Sequence, residues 1–174
     1  MKTLTEIKAE VDSRAAKIGA SGSDSLPTYG YSKDFAYPHI EVDSRGYHYV
    51  VVERGEELSR FTTRELDELL YKIFQGVTFD LSSNYEVAHR VTGPDFRRMM
   101  FQHQVELLSQ LSEKWAKQRA AEHEEILRKH PFDDKPDMRG NLCKKFRTEG
   151  HSPETAWQMA CARYPLHIVP FDAR

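Results

Sequence analysis

Cysteine is nearly absent: Cys143 and Cys161 are the only two in 174 residues. That is too few for the disulfide framework on which small secreted domains depend. No stretch approaches the roughly 20 consecutive apolar residues of a membrane-spanning helix. The opening Met1–Val11 segment carries acidic residues early and has no apolar run of export-signal length, so a cytoplasmic location is the expectation. Signatures of chemistry are missing as well. There is no Cys-x-x-Cys, no paired histidines flanking a helix-borne glutamate, no Gly-x-Ser-x-Gly elbow and no glycine-rich phosphate loop. Internal repeats and low-complexity tracts are not found. Charge of one sign is also lacking: 25 Lys and Arg face 27 Asp and Glu, for a formal net charge of −2. No overall positive field marks the chain as a nucleic-acid binder, although a local basic patch is not excluded.

What is present is the balance of a folded protein, 39% hydrophobic and 30% charged. The length fits one ordinary domain and suffices for a core without metal or disulfide support. Leu4, Ile7, Val11 and Ile18 recur at helical spacing, which predicts an amphipathic helix over Thr3–Ile18, capped by Thr3 with Glu6 three residues on and stopping near Gly19. Ala20–Pro27 reads as a loop. From Tyr29 the period changes to two. His39–Asp43 and Tyr47–Glu53 flank the turn Ser44-Arg45-Gly46, a β-hairpin signature, and Arg54–Glu57 forms a second turn before a short strand, Leu58–Phe61. Tyr29–Phe35 could add a further strand.

Thr62–Glu65 has capping-box spacing and opens a helix striped by Leu66, Leu69, Leu70, Ile73 and Phe74, with Gly76 as its stop. A short helix is expected around Leu81–His89. Asp95 caps a helical region whose buried face runs from Phe96 through Met100, Gln104, Leu107, Leu108 and Leu111 to Trp115. Ser112 could divide it into two helices or leave one bent helix reaching His130. Phe132–Pro136 is a linker. Met138, Leu142 and Phe146 mark one last helix and Ala156, Trp157, Ala160, Cys161 and Tyr164 another, joined by Gly150-His151-Ser152-Pro153, a stop and restart. Pro165 and Pro170 should close the chain in extended form.

Each candidate chemistry has a plainer counterpart. Eight histidines invite a metal hypothesis, and His39 and His48 could face each other across the hairpin beside Glu41 or Glu53. Without a third ligand at fixed spacing they read as ordinary strand or surface histidines. Cys143 and Cys161 fall on apolar helix faces, where cysteine acts as a small hydrophobe. The Gly150–Pro153 turn suggests helix-turn-helix DNA recognition, but Pro153–Tyr164 offers only Gln158 and Arg163 and carries Glu154. Arg139, Lys144, Lys145 and Arg147 then read as a solvated face or as a patch for an acidic partner. Glu53–Glu68 concentrates Glu53, Glu56, Glu57, Glu65, Asp67 and Glu68 beside a sheet edge. Such a surface can attract a basic enzyme, or simply keep the chain soluble.

Pro27–Ser32, Tyr37–Val42 and Tyr47–Glu56, together with Asp67–Phe74 and the Asp95-Phe96-Arg97-Arg98 helix leading to Trp115, resemble the immunity protein 63 family of bacterial polymorphic toxin systems. The resemblance spans roughly residues 1–134 and leaves the last helical pair outside it. It implies a non-enzymatic protein, encoded beside a toxin, that protects the producing cell by binding that toxin. Arg54, Arg97 and Arg98 occupy motif positions and are expected mainly as structural charges pairing sheet to helix.

The expectation is therefore an α+β fold: a small antiparallel β-meander packed against several α-helices, with a C-terminal helical hairpin. Residues 1–134 form the immunity-protein-like unit, and residues 135–174 are an extension packed on it. The candidate toxin contacts are Glu41, Asp43, Glu53, Arg54, Glu56 and Glu57. No catalytic residue, metal or cofactor is expected. The partner is a cognate toxin domain, with a homodimer left open, no membrane, and nucleic acid disfavoured. The alternative is a nucleic-acid-binding regulator that uses the C-terminal helical pair and Lys144/Lys145.

Overall fold

A computed structural model describes residues 1–22 and 24–166. Helix α1 (Leu4–Lys17) opens as expected. The Thr3 hydroxyl accepts the Glu6 amide and the Glu6 carboxylate returns to the Thr3 amide, which satisfies two otherwise orphaned donors. Gly19, in the left-handed region, follows the helix end.

The sheet has the order β1-β2-β3-β4, with β1 at Thr28–Tyr29, β2 at Tyr37–Asp43, β3 at Gly46–Glu53 and β4 at Glu56–Thr63. Strands β2 to β4 form the antiparallel meander, whose register pairs Tyr37 with Val52, Asp43 with Gly46 and Glu53 with Glu56. The two-residue β1 differs from expectation, because it runs parallel to β2 and ends at Tyr29 rather than Phe35. Beyond it Gly30 takes a positive φ, and Asp34, Phe35 and Ala36 do the same, so these residues turn the chain back instead of extending it. At the β2–β3 turn Gly46 is obligatory. Its φ is +145°, and a Cβ there would lie 2.3 Å from the Thr63 carbonyl oxygen.

Helix α2 spans Leu66–His89 without a break. The stop expected at Gly76 does not occur. Apolar positions continue through Val77, and Thr78 and Ser82 are buried where α3 packs on the helix, so tertiary burial outweighs the modest glycine penalty. The expected Thr62/Glu65 box is also replaced. The Thr63 hydroxyl accepts the Glu65 amide and donates to Glu68, while Thr62 turns to the other side of the sheet.

Ser112 caps α4 (Glu113–Lys129) through the Trp115 amide. The long helical region is therefore two helices, α3 (Arg97–Ser109) and α4. Asp95, expected as the cap of α3, stands one residue before the N-cap Phe96, and its carboxylate accepts the Arg97 amide at 2.9 Å. Helix α1 and the inner sheet face meet α2, α3 and α4 around Ile7, Val11, Ile40, Leu69, Phe74, Leu108 and Trp115. The core thus lies on one side of the sheet.

Helices α5 (Pro136–Thr148) and α6 (Pro153–Arg163) pack on each other, with Ser152 capping α6 as expected. Ala156 and Ala160 are buried between them, but Met138 and Trp157 are half exposed, contrary to the inward placement their spacing suggested. The most buried side chain of α5 is Arg139. It bonds both Asp133 oxygens and the Tyr164 carbonyl, tying the pair to the connector after α4. In that connector Asp133 and Asp134 also engage Asp95 and Arg98, and Arg97 grips Asp95 and the His130 and Pro131 carbonyls. Arg97 and Arg98 are therefore structural charges, but they join α3 to the connector rather than sheet to helix. Pro165 is exposed with no regular structure; Pro170 and His167 lie outside the described residues.

Candidate functional site

Because side chains alternate across a strand, the face opposite the core is set by β2 and β3 together. Ile40, Val42, Tyr47 and Tyr49 point to the helices. His39, Glu41 and Asp43 on β2, His48 and Val50 on β3, and Arg60 and Thr62 on β4 share the outer face. That face is polar and internally paired. Arg60 donates to Glu41 at 2.7 Å and to Glu57 at 2.6 Å, spanning from β4 to β2. Its stem must cross β3, and Val50 beneath is 1% exposed despite lying on the outer side. Arg60 holds both carboxyls below their ordinary range and is itself raised by them. Arg45 chelates Asp43 and lowers its carboxyl, with His48 assisting.

The two strand histidines share the outer face but do not face each other, because the register sets His39 opposite Val50 and His48 opposite Glu41, and each serves a carboxylate. His39 Nε2 meets Glu41 at 3.1 Å, and its Nδ1 is buried without a hydrogen-bond partner among the described residues. His48 is 1% exposed, with Nε2 at 2.9 Å from Asp43 and Nδ1 at 2.8 Å from the Thr62 hydroxyl. A carboxylate can only accept, so Nε2 donates to Asp43, while Nδ1 shares a hydrogen bond with the Thr62 hydroxyl. This carboxylate–imidazole–hydroxyl chain orients its members. Among the described residues no group of three or more His, Cys, Asp or Glu is arranged to hold a metal.

The six sequence candidates do not converge. Asp43 stands at the β2–β3 end. Glu53, Arg54 and Glu56 stand at the β3–β4 end, about 20 Å away at roughly 3.3 Å per strand residue. Glu41 and Glu57 lie between them and share Arg60. Glu53, Arg54 and Glu56 have no ion-pair partner among the described residues; Arg54 and Glu56 are exposed and Glu53 is half-buried. Arg54 and Gly55 have φ of 54° and 77°, the tight hairpin turn that fits strand twist. The rest of the acidic run is scaffold. Asp67 accepts the Trp115 indole N–H and Lys114, and Glu68 accepts the Thr63 hydroxyl. Lys144, Lys145 and Arg147 are exposed on α5, as expected of a solvated face.

Sequence reasoning missed Arg60, which neutralises two candidate contacts, and Phe35, which is 88% exposed beside the β3–β4 turn. Neither had a usable signal: Arg60 is one arginine among many, and Phe35 looked like a strand residue. A cleft of about 630 Å³ between α1 and the Ser21–Tyr37 stretch, lined by Lys8, Asp12, Tyr29, Lys33 and Tyr37, contains none of the six candidates.

The class that emerges is an α+β protein whose candidate residues occupy the outer sheet face and its turns. Residues 43–125 match the family described as Immunity protein 63, so the resemblance read from the motifs holds over the segment from the end of β2 through most of α4. The matched span contains Tyr47–Glu56, Asp67–Phe74 and the α3 start; α1, β1 and the α5–α6 pair lie outside it. No curated protein and no solved structure matches the chain. No helix among the described residues is long and apolar enough to cross a membrane.

Proposed function

We propose that this chain is an immunity protein that binds and neutralises a cognate bacterial toxin without catalysing a reaction. The observation that carries the reading is the match of residues 43–125 to the Immunity protein 63 family. Uncompensated charge at the β3–β4 turn and a free β4 edge support it, since both suit a protein partner better than a small molecule. Glu53, Arg54 and Glu56 are the primary contacts. Glu41, Asp43 and Glu57 contribute through the network that Arg45 and Arg60 hold. The toxin is met in the cytoplasm. Residues 1–134 carry the binding, and residues 135–174 are an appended pair.

The test is co-expression with the toxin encoded beside this gene, scored by survival and co-purification. Protection with a stable complex is expected. A toxin that kills regardless and does not co-purify overturns the reading.

A further inference from the structure

Three consecutive residues, Asp34, Phe35 and Ala36, lie in the left-handed region, with φ of 63°, 56° and 57°. None is glycine, and for residues with a Cβ this conformation is unfavourable and normally occurs singly. The loop is nonetheless well tied. The Ala36 amide donates to the Val52 carbonyl at 2.9 Å, the Tyr37 amide to the Asp34 carbonyl at 3.0 Å, and the Asp34 amide to the Ser32 hydroxyl at 2.9 Å. The Gly55 amide lies 3.4 Å from the Asp34 carboxylate, which joins this loop to the β3–β4 turn.

The result of that strain is the presentation of Phe35. At 88% it is the most exposed of the large hydrophobic side chains among the described residues. A turn shaped by folding alone would carry glycine or asparagine at left-handed positions and a polar tip. Instead an aromatic ring projects at the end of the sheet where Glu53, Arg54 and Glu56 are uncompensated.

We propose that Phe35 is the anchor of the partner interface: it inserts into an apolar pocket on the toxin whose rim carries lysine or arginine side chains opposite Glu53 and Glu56. The inference rests on the toxin-binding reading above. Its chemistry is that of a desolvated aromatic hot spot ringed by charges that steer approach and set register. The same charges argue against other occupants. Glu53 and Glu56 outnumber Arg54, so the patch is net negative and would be repelled by an anionic membrane surface or by the same patch on a second copy.

The experiment titrates an inactivated form of the neighbouring toxin with the full chain by calorimetry and follows thermal unfolding of each variant in parallel. Phe35→Ala should weaken binding by about 30-fold or more, the range of an aromatic hot spot, and leave the unfolding midpoint unchanged. Phe35→Gly should weaken binding equally while raising the midpoint, because it also relieves the left-handed strain. Glu53→Gln with Glu56→Gln should slow association and flatten its salt dependence. If wild type binds and Phe35→Ala binds equally well, the inference is overturned and the immunity reading stands. It is likewise overturned if Phe35→Ala lowers the midpoint along with binding, if a wild-type dimer in gel filtration dissociates in this variant, or if wild type sediments with phosphatidylcholine vesicles through Phe35. If wild type does not bind the toxin at all, both readings fall together.

Discussion

The Trp115 indole N–H donates to Asp67 Oδ1 at 3.0 Å, tying the first turn of α2 to the first turn of α4. Trp115 is 1% exposed, with Phe74 stacked at 6.0 Å and Tyr71 tilted at 6.3 Å between centroids. The carboxylate therefore satisfies the one polar atom of the largest fully buried side chain. Asp67→Ala should leave that N–H unpaired and cost on the order of 1–3 kcal/mol. Asp67→Asn, which keeps an acceptor, should cost less. Urea unfolding followed by tryptophan fluorescence reads both.

His123 should make stability fall with acid. The ring is 4% exposed, stacked at 3.9 Å on Phe101, and donates through Nε2 to Gln104 Oε1. Burial, with the Arg119 charge adding to it, lowers its pKa from 6.5 to about 4. Between those values the unfolded chain takes up a proton that the folded one refuses. The stabilising contribution is therefore complete above pH 6.5 and is lost progressively as pH falls toward 4, with a ceiling of about 3 kcal/mol. Melting curves from pH 7.5 to 4 should show the decline, and His123→Gln should flatten it.

Gly76→Ala should stabilise the protein. Gly76 lies inside α2 with no positive φ, and an added Cβ meets only the Tyr49 hydroxyl, at 3.7 Å, an ordinary contact. The gain should be roughly 0.5–1 kcal/mol, from the backbone entropy that glycine loses on folding. A higher urea midpoint at unchanged slope is the expected readout.

Gly46→Ala should do the opposite. The new Cβ would sit 2.3 Å from the Thr63 carbonyl oxygen on β4, at a φ that side chains rarely adopt. Strain of this kind costs on the order of 1–3 kcal/mol before the clash is counted, so a midpoint drop with loosened β3–β4 amide protection is expected.

Much of this fold is legible one segment at a time. Thr3 with Glu6, Ser112 and Ser152 cap the helices their spacing announces, and Tyr47–Glu53 is aromatic and β-branched as a central strand requires. The candidate site was less readable. Glu41 lies 19 positions from Arg60 in the chain, and only strand register brings it to the Arg60–Glu57 pair. Gly76 misleads because a local stop signal competes with burial against α3, which no local window contains.

By itself, then, the sequence determined the elements: their period, their caps, and the hairpin turns that need glycine at Gly46 and Gly55. It also determined the family motifs, because all of these depend on residues a few positions apart. The tertiary structure alone decided which charges remain free. Arg60 reaches from β4 to Glu41 on β2 while also pairing Glu57 on its own strand, and Arg45 closes locally on Asp43 at the β2–β3 turn, while Glu53 and Glu56 keep their charges. It also decided that Phe35 projects rather than packs, because the hydrogen bonds of Ala36 to Val52 and of Gly55 to Asp34 form only once the sheet has assembled. Charge compensation and exposure are properties of neighbours in space, and a strand's neighbours are not its neighbours in sequence.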